Sequence, residues 1–471
     1  MQIDEEFFNN DEFRDNLKSF EESFKSGHPI YLDADDLTDI IDYYNLMHKD
    51  QEADKTADYA LSLFPDAPGP ITYKVRKCID MDDIIGAEKY IDRFSEKSID
   101  YYFIKAEIHL AKNEPEMADM LFEEALDMAE DEELDCCILD ATNIFVDYNY
   151  FDMGDKWIRR VENKNTDDYI ELKVKILSSF GEIEKVEALL NKAIDKNPYE
   201  HKYWNMMSCA QLINDKVSDA LTSSEYSLAV TPDNPHGLMC KAQALTKLYQ
   251  YNEAINYYLA YIAKYNYDPN GYVQLGYCFM SLSKNAEALM SYIMAERCSS
   301  GEPEQLCTIY ENMALAFSHI HEEEHAMHYL EKLSKLSKYV DKYHVDMLKG
   351  YVLLEAGKEQ DGLVTLANML KECHYHSVNV LKASVVLYEN NLTDMAYQIM
   401  HDHFPFEDET IDFGISYYAL YCYDLGKDEE FLKYLKMSVE RSPEEAEMTL
   451  HHLFPEGMKP TEYCEYIKNN K

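Results

Sequence analysis

The sequence predicts an all-α protein built as a solenoid of helix pairs. Three observations carry that expectation. A small residue recurs at a spacing near 34: Ala220, Ala254 and Ala288 stand 34 residues apart twice in succession. Glycine and proline are scarce, 15 and 14 in 471 residues, and sheets and long loops need more of that punctuation. Apolar residues recur at spacings of three, four and seven, the pattern of a helix with one buried face.

The elements follow in chain order. Phe13, Leu17, Phe20 and Phe24 recur at four, three and four residues, so residues 11–26 are expected to form an amphipathic helix covering the first repeat. The small-residue register then passes Ala53, Ala87, Ala118, Gly154, Val186, Ala220, Ala254 and Ala288, and continues through Ala326, Gly362, Ala396 and Phe431. Twelve units result, with spacings from 31 to 38, each anchored early in the second helix of a pair. Gly154, Val186 and Phe431 depart from alanine and the stretch 68–98 is short, so a slip of a few residues is allowed for there. Pro65, Pro198, Pro232 and Pro443 close units, because a proline stops one helix and sets the turn into the next. Beyond 443 a helix is expected around Met448–Leu453, then a short one around Thr461–Ile467, then a polar tail.

The best units carry more of the pattern. Tyr272, Leu275, Gly276 and Phe279 form a first-helix set, and Ala288, Tyr292 and Ala295 a second-helix set. Trp204 opens the unit 201–232, and Pro232 closes it. With two helices per 34-residue period, this resembles the tetratricopeptide repeat family over roughly 34–443. The resemblance implies a right-handed α–α superhelix of about twelve pairs with helical caps. The domain reading is a capping region at 1–33, an amino-terminal array at 34–268, a carboxy-terminal array at 269–443 and a capping tail at 444–471.

Charge narrows the partners. There are 89 acidic and 44 basic residues, a net charge of −45. That field repels nucleic acid and anionic membrane surfaces and steers a basic partner inward. Residues 114–135 hold eleven acids and no lysine or arginine. The start, MQIDEEFFNN, has no basic or apolar signal character, and no apolar run approaches the ~18 residues that span a bilayer. Eleven scattered cysteines without a Cys-x-x-Cys pair suggest reduced thiols and a cytoplasmic setting.

One string imitates chemistry. His321-Glu322-Glu323-Glu324-His325 matches the H-E-x-x-H of zinc peptidases, in which two histidines one helical turn apart bind zinc and the glutamate activates water. His319 and His328 stand nearby. The repeat register, however, puts His321 at the turn inside a pair, and both free positions are glutamate. His374, His376, His401 and His403 form two His-x-His pairs expected in turns. No glycine-rich phosphate loop or Gly-x-Ser-x-Gly elbow is present, and no cofactor or catalytic residue is expected. Most of the 39 tyrosines are expected in the core.

In the family resembled, first helices line the concave surface. The positions that resemblance turns inward read Val273, Tyr277 and Met280; then Glu311, Leu315 and Ser318; then Met347, Tyr351 and Leu354. The stripe continues with Leu381, Val385 and Tyr388, then Ser416, Leu420 and Tyr423. The corresponding amino-terminal positions are polar, among them Thr38, Asp42 and Asn45, Thr72, Arg76 and Ile79, and Glu171, Lys175 and Ser178. The expected function is a non-enzymatic scaffold holding a protein or peptide, of basic character if charge guides it, in the carboxy-terminal groove. The alternatives are a peptide-sensing regulatory subunit and a zinc-dependent hydrolase using His321, Glu322 and His325. The lysine, asparagine and arginine clamp that some family members use for acidic chaperone tails has no counterpart here.

Overall fold

A computed structural model describes residues 8, 10–26, 32–47, 49–455 and 457–470. Among these the secondary structure is helical, with 27 α-helices, one short 3-10 turn and no strand. Helix α1 (Asp11–Ser26) comes first. Six pairs follow: α2/α3 (Ala34–Leu46, Asp50–Leu63), α4/α5 (Pro68–Asp80, Ile84–Ile91), α6/α7 (Ile99–Ala111, Pro115–Leu126), α8/α9 (Leu134–Asp147, Phe151–Ile158), α10/α11 (Asp167–Ser179, Ile183–Lys196) and α12/α13 (His201–Ile213, Val217–Val230). Six more succeed them: α14/α15 (Pro235–Lys247, Tyr251–Ile262), α16/α17 (Pro269–Ser281, Asn285–Cys298), α18/α19 (Pro303–His319, Glu323–Lys335), α20/α21 (Lys342–Glu355, Glu359–Glu372), α22/α23 (Ser377–Glu389, Thr393–His403) and α24/α25 (Ile415–Asp424, Asp428–Arg441). Helices α26 (Pro443–Leu450) and α27 (Pro460–Asn470) end the chain. The twelve expected pairs and both helical caps are present.

The register does not slip. Each of its twelve residues, Ala53 through Phe431, is the fourth residue of its second helix, and each is buried. The partner helix supplies a residue at the same crossing, commonly a small one such as Ala106, Ser208, Ala242, Gly276, Gly350 or Ala419, all buried. At α20/α21 both sides are glycine: a Cβ built on Gly362 would lie 2.7 Å from Leu354 Cγ and 3.1 Å from the Gly350 carbonyl oxygen. At α12/α13 the Ser208 hydroxyl donates to the Ala220 carbonyl at 2.8 Å. Phe431 fills its site completely, against Tyr423 at 5.2 Å between ring centroids.

The turn inside each pair is equally regular. Eleven of them place one residue in the left-handed region: Asp82, Asn113, Asn149, Gly181, Asp215, Tyr249, Ser283, His321, Gly357, Asn391 and Gly426. The next residue's N–H then reaches back five residues to a first-helix carbonyl, as in Glu114 to His109 and Lys358 to Leu353, both 2.9 Å. This is the helix stop that satisfies orphan carbonyls and reverses the chain at once. Prolines mark starts: Pro68, Pro235, Pro269 and Pro303 open first helices and Pro115 opens a second helix, where the missing N–H costs nothing.

The chain packs as two units, Met1–Pro232 and Asp233–Lys471. In the first, Phe13 and Phe20 of α1 join Leu37, Ile40 and Ile41 of α2 in one buried cluster, so α1 covers the open face of the first pair. Phe24, the fourth residue of that stripe, has its side chain outside the described set. Further along, Trp157 sits edge-on to Phe122 at 5.8 Å and donates from Nε1 to Asp119 at 2.7 Å. In the second unit Tyr418, Tyr421, Phe431, Leu450 and Tyr463 share a cluster, so α26 and α27 cover the last pair. Glu445 of α26 accepts from the Gly414 and Ser416 N–H groups at 2.6 and 3.3 Å and closes the start of α24. The boundary between units falls at 232/233, one pair before the 268/269 division drawn on groove character. Among the described residues eleven tyrosines are buried, fewer than composition led one to expect. Many others, Tyr343, Tyr351 and Tyr388 among them, keep the ring against a cluster without being buried, because a phenol is apolar at its ring and polar at its tip.

Candidate interaction surface

The stripe residues lie on the first helices of the second unit, each at a set distance from the turn that ends its helix. Structure divides them three ways. Tyr277 and Tyr423 are exposed, at 47% and 45%. Met280, Leu315, Met347, Tyr351, Leu381 and Tyr388 are half-buried. Val273, Leu354 and Leu420 are buried, which corrects their expected place on an open surface: the neighbouring helices close over them, as Leu354 against the Gly362 turn of α21 illustrates. Glu311 and Val385 are half-buried, while Ser318 and Ser416 are buried.

The half-buried tyrosines are held at their tips. Tyr388 donates to Asp424 Oδ2 at 2.7 Å, and its ring lies 4.9 Å from that of Tyr421. Burial, reinforced by that hydrogen bond, pushes the Tyr388 phenol up to about 12. The Tyr351 hydroxyl lies 3.1 Å from His319 Nε2, and burial with the nearby Glu355 and Glu389 charges holds its phenol far above the ordinary range. Tyr277 meets the Tyr251 ring at 6.3 Å. Aromatic faces with anchored tips give rigid contact area at small entropic cost, which is why tyrosine is favoured at interfaces.

Reading by apolar stripe missed a row beside it. Glu355, Glu389 and Asp424 are the last residues of α20, α22 and α24, and each stands two residues before the left-handed turn residue. Glu389 is raised above the usual carboxylate range by burial and then by the Glu355 charge, with His319 opposing. The signal was present in the sequence: three acids at one register position, each at a helix C-terminus, where the macrodipole disfavours an anion.

The amino-terminal polar positions are tied together differently. Arg76 of α4 forks onto Glu107 of α6 at 3.0 and 2.6 Å. Asp42 is pushed up to about 6 by burial and then by Asp39, against a lowering effect of Arg76. Lys175 pairs with Glu171 along α10 at 3.2 Å. Acids of the 114–135 run are also used: Asp119 binds Lys156 and Trp157, and Glu123 binds Arg160.

The zinc-like string takes a different geometry from its peptidase counterpart. His321 is the left-handed turn residue, φ +61°, and α19 starts only at Glu323. His321 and His325 therefore do not share one helical face a turn apart. The His325 ring stacks on Phe317 at 5.1 Å, and His328 stands edge-on to Tyr329. His403 stacks on Tyr375 at 3.8 Å, and His401 Nδ1 lies 2.9 Å from Asp402. Among the described residues no three His, Cys, Asp or Glu side chains are grouped to hold a metal ion. None of the described helices is long and apolar enough to cross a membrane.

No family model matches the sequence, and no curated protein matches it. Solved structures do. A tetratricopeptide repeat protein from Parabacteroides merdae is similar at 13% identity over 55% of this chain and 100% of its own, with a TM-score of 0.42. YrrB, described as a tetratricopeptide protein with an unusual peptide-binding site, is similar at 20% identity over 39% of this chain and 92% of its own, TM-score 0.32. The Cut9–Hcn1 hetero-tetramer of the APC/C is similar at 11% identity over 90% and 97%, TM-score 0.38. The architecture is that of a tetratricopeptide-repeat array.

Proposed function

We propose that this chain is a non-enzymatic scaffold that holds a protein or peptide segment across the first helices of the array 269–443. The observation that carries the reading is the row Tyr277, Met280, Leu315, Met347, Tyr351, Leu381, Tyr388 and Tyr423. These apolar side chains remain half-buried or exposed at matching positions on five consecutive first helices. Repeated open apolar contact at helical register is the mark of an interaction surface, and an extended or helical segment is the occupant whose length matches it. The eleven cysteines, none in a disulfide, support a reducing, cytoplasmic setting.

Peptides displayed on phage and selected against the full chain test this. Selected peptides are expected to lose at least tenfold in affinity for Tyr351→Ala/Tyr388→Ala and to be unaffected by Met290→Ala, on the exposed side of α17. Undiminished binding to the tyrosine double variant would sink the groove reading.

A further inference from the structure

The groove face carries charge as well as apolar surface, and resting on the scaffold reading above we infer that its occupant is a basic segment whose lysine or arginine side chains meet Glu355, Glu389 and Asp424. These three carboxylates end consecutive first helices, 34 and 35 residues apart, beside Tyr351 and Tyr388. Each stands where the helix dipole favours a cation. Among the described residues none of the three has a cationic lysine or arginine within ion-pair reach, although lysines elsewhere in this unit are paired, Lys342 to Glu372 and Lys358 to Glu323. Glu355 and Glu389 act on each other unfavourably, and burial adds to the effect at Glu389. Local choices that oppose stability at one repeated position mark a site shaped for something outside the chain.

A second observation is independent of charge. An aromatic edge runs beside the carboxylates: Tyr351 and Tyr388 are half-buried and Tyr423 is 45% exposed. Aromatic rings beside carboxylates complement a guanidinium or ammonium, which donates a charge-assisted hydrogen bond to the carboxylate and makes a cation–π contact with the ring. The chain's net charge of −45 steers such a segment toward the surface.

Two fluorescein-labelled twelve-residue peptides, identical in their leucines and tyrosines but with lysine in one where the other has glutamate, are titrated with the full chain and read by anisotropy. The lysine peptide is expected to bind at least tenfold more tightly. Glu355→Gln/Glu389→Gln/Asp424→Asn is expected to weaken it tenfold or more and to flatten its salt dependence. The control Glu130→Gln/Glu132→Gln/Glu133→Gln, on the acidic α7–α8 segment, is expected to change it less than twofold. Equal binding of the two peptides, or equal loss in site and control variants, overturns the basic partner. A neutral serine version of the peptide separates the two readings. If it is lost with Tyr351→Ala/Tyr388→Ala while the carboxylate variant binds the lysine peptide normally, the groove stands and the basic partner falls. If the tyrosine variant binds every peptide as the parent does, the groove itself falls.

Discussion

Gly362 shows how much one side chain decides. In an open helix, alanine would be better than glycine by ~1 kcal/mol. Here the added Cβ meets the Gly350 carbonyl at 3.1 Å and the Leu354 side chain at 2.7 Å, and a helix backbone cannot step aside as a side chain can. Gly362→Ala is therefore expected to destabilise by about 1–3 kcal/mol, read as a lower urea midpoint. Asp42 offers a pH test. Its folded pKa is raised to about 6 from 3.8, so between those values the folded chain binds the proton more tightly than the unfolded chain. Stability then rises as pH falls from 6 toward 3.8, and the charged form is a liability above 6. Asp42→Asn should stabilise by on the order of 1–2 kcal/mol at pH 8 and by little at pH 4. Thermal melts at both values check the sign. Asp42 was visible in the sequence as a polar first-helix position. Its burial was not, because that depends on how α4 packs against α2.

At the scale of the helix and its turn, regularity in the backbone outlasts irregularity in the residues. The left-handed turn residue is glycine, asparagine or aspartate in eight of eleven cases, and tyrosine, serine or histidine in the others. A side chain with a Cβ costs ~1 kcal/mol in that region, less for asparagine, and the five-residue hydrogen bond and helix contacts hold it there. His321→Asn should therefore raise the urea midpoint, by about 0.5 kcal/mol, with no loss of helix by circular dichroism. A lowered midpoint would show that the His321 ring has a structural role. The acids ending α20, α22 and α24 work against their helices. Neutralising all three should stabilise by about 1 kcal/mol in total, a rise of a few degrees in Tm, while weakening a basic peptide. Helix existence and type were legible from spacing, and Pro65, Pro198, Pro232 and Pro443 announced where second helices end. The turn conformation at Tyr249 or Ser283 was not, since neither residue favours it and only the hydrogen bond back to the first helix imposes it.

For the whole chain, charge is the dominant global quantity. A net charge of −45 repels itself in any compact form. Raising sodium chloride from about 20 to 200 mM shortens the Debye length to below 10 Å and should raise Tm by several degrees, a trend that a balanced protein of this size would not show. A fall in Tm over that range would mean that ion pairs such as Lys74 with Asp54 and Asp58, both 2.6 Å, outweigh the repulsion.

The sequence by itself determined the twelve pairs and their register. Those features are set within one period: a helix needs its own apolar face, and a crossing needs a small residue on each side of a single turn. Which stripe residues stay open was decided only by the tertiary structure. Leu354 shares its register with Tyr388 and Tyr423, and Leu420 shares its register with Tyr277 and Tyr351, yet the leucines are buried and the tyrosines are not. Exposure at a first helix depends on how closely the next helices approach, and the side chains that set that distance lie more than a turn away, in α21 for Leu354 and α25 for Tyr423. The carboxylate row is the same lesson in charge: three acids were plain to read one by one, and only the stacking of α20, α22 and α24 made them a single edge.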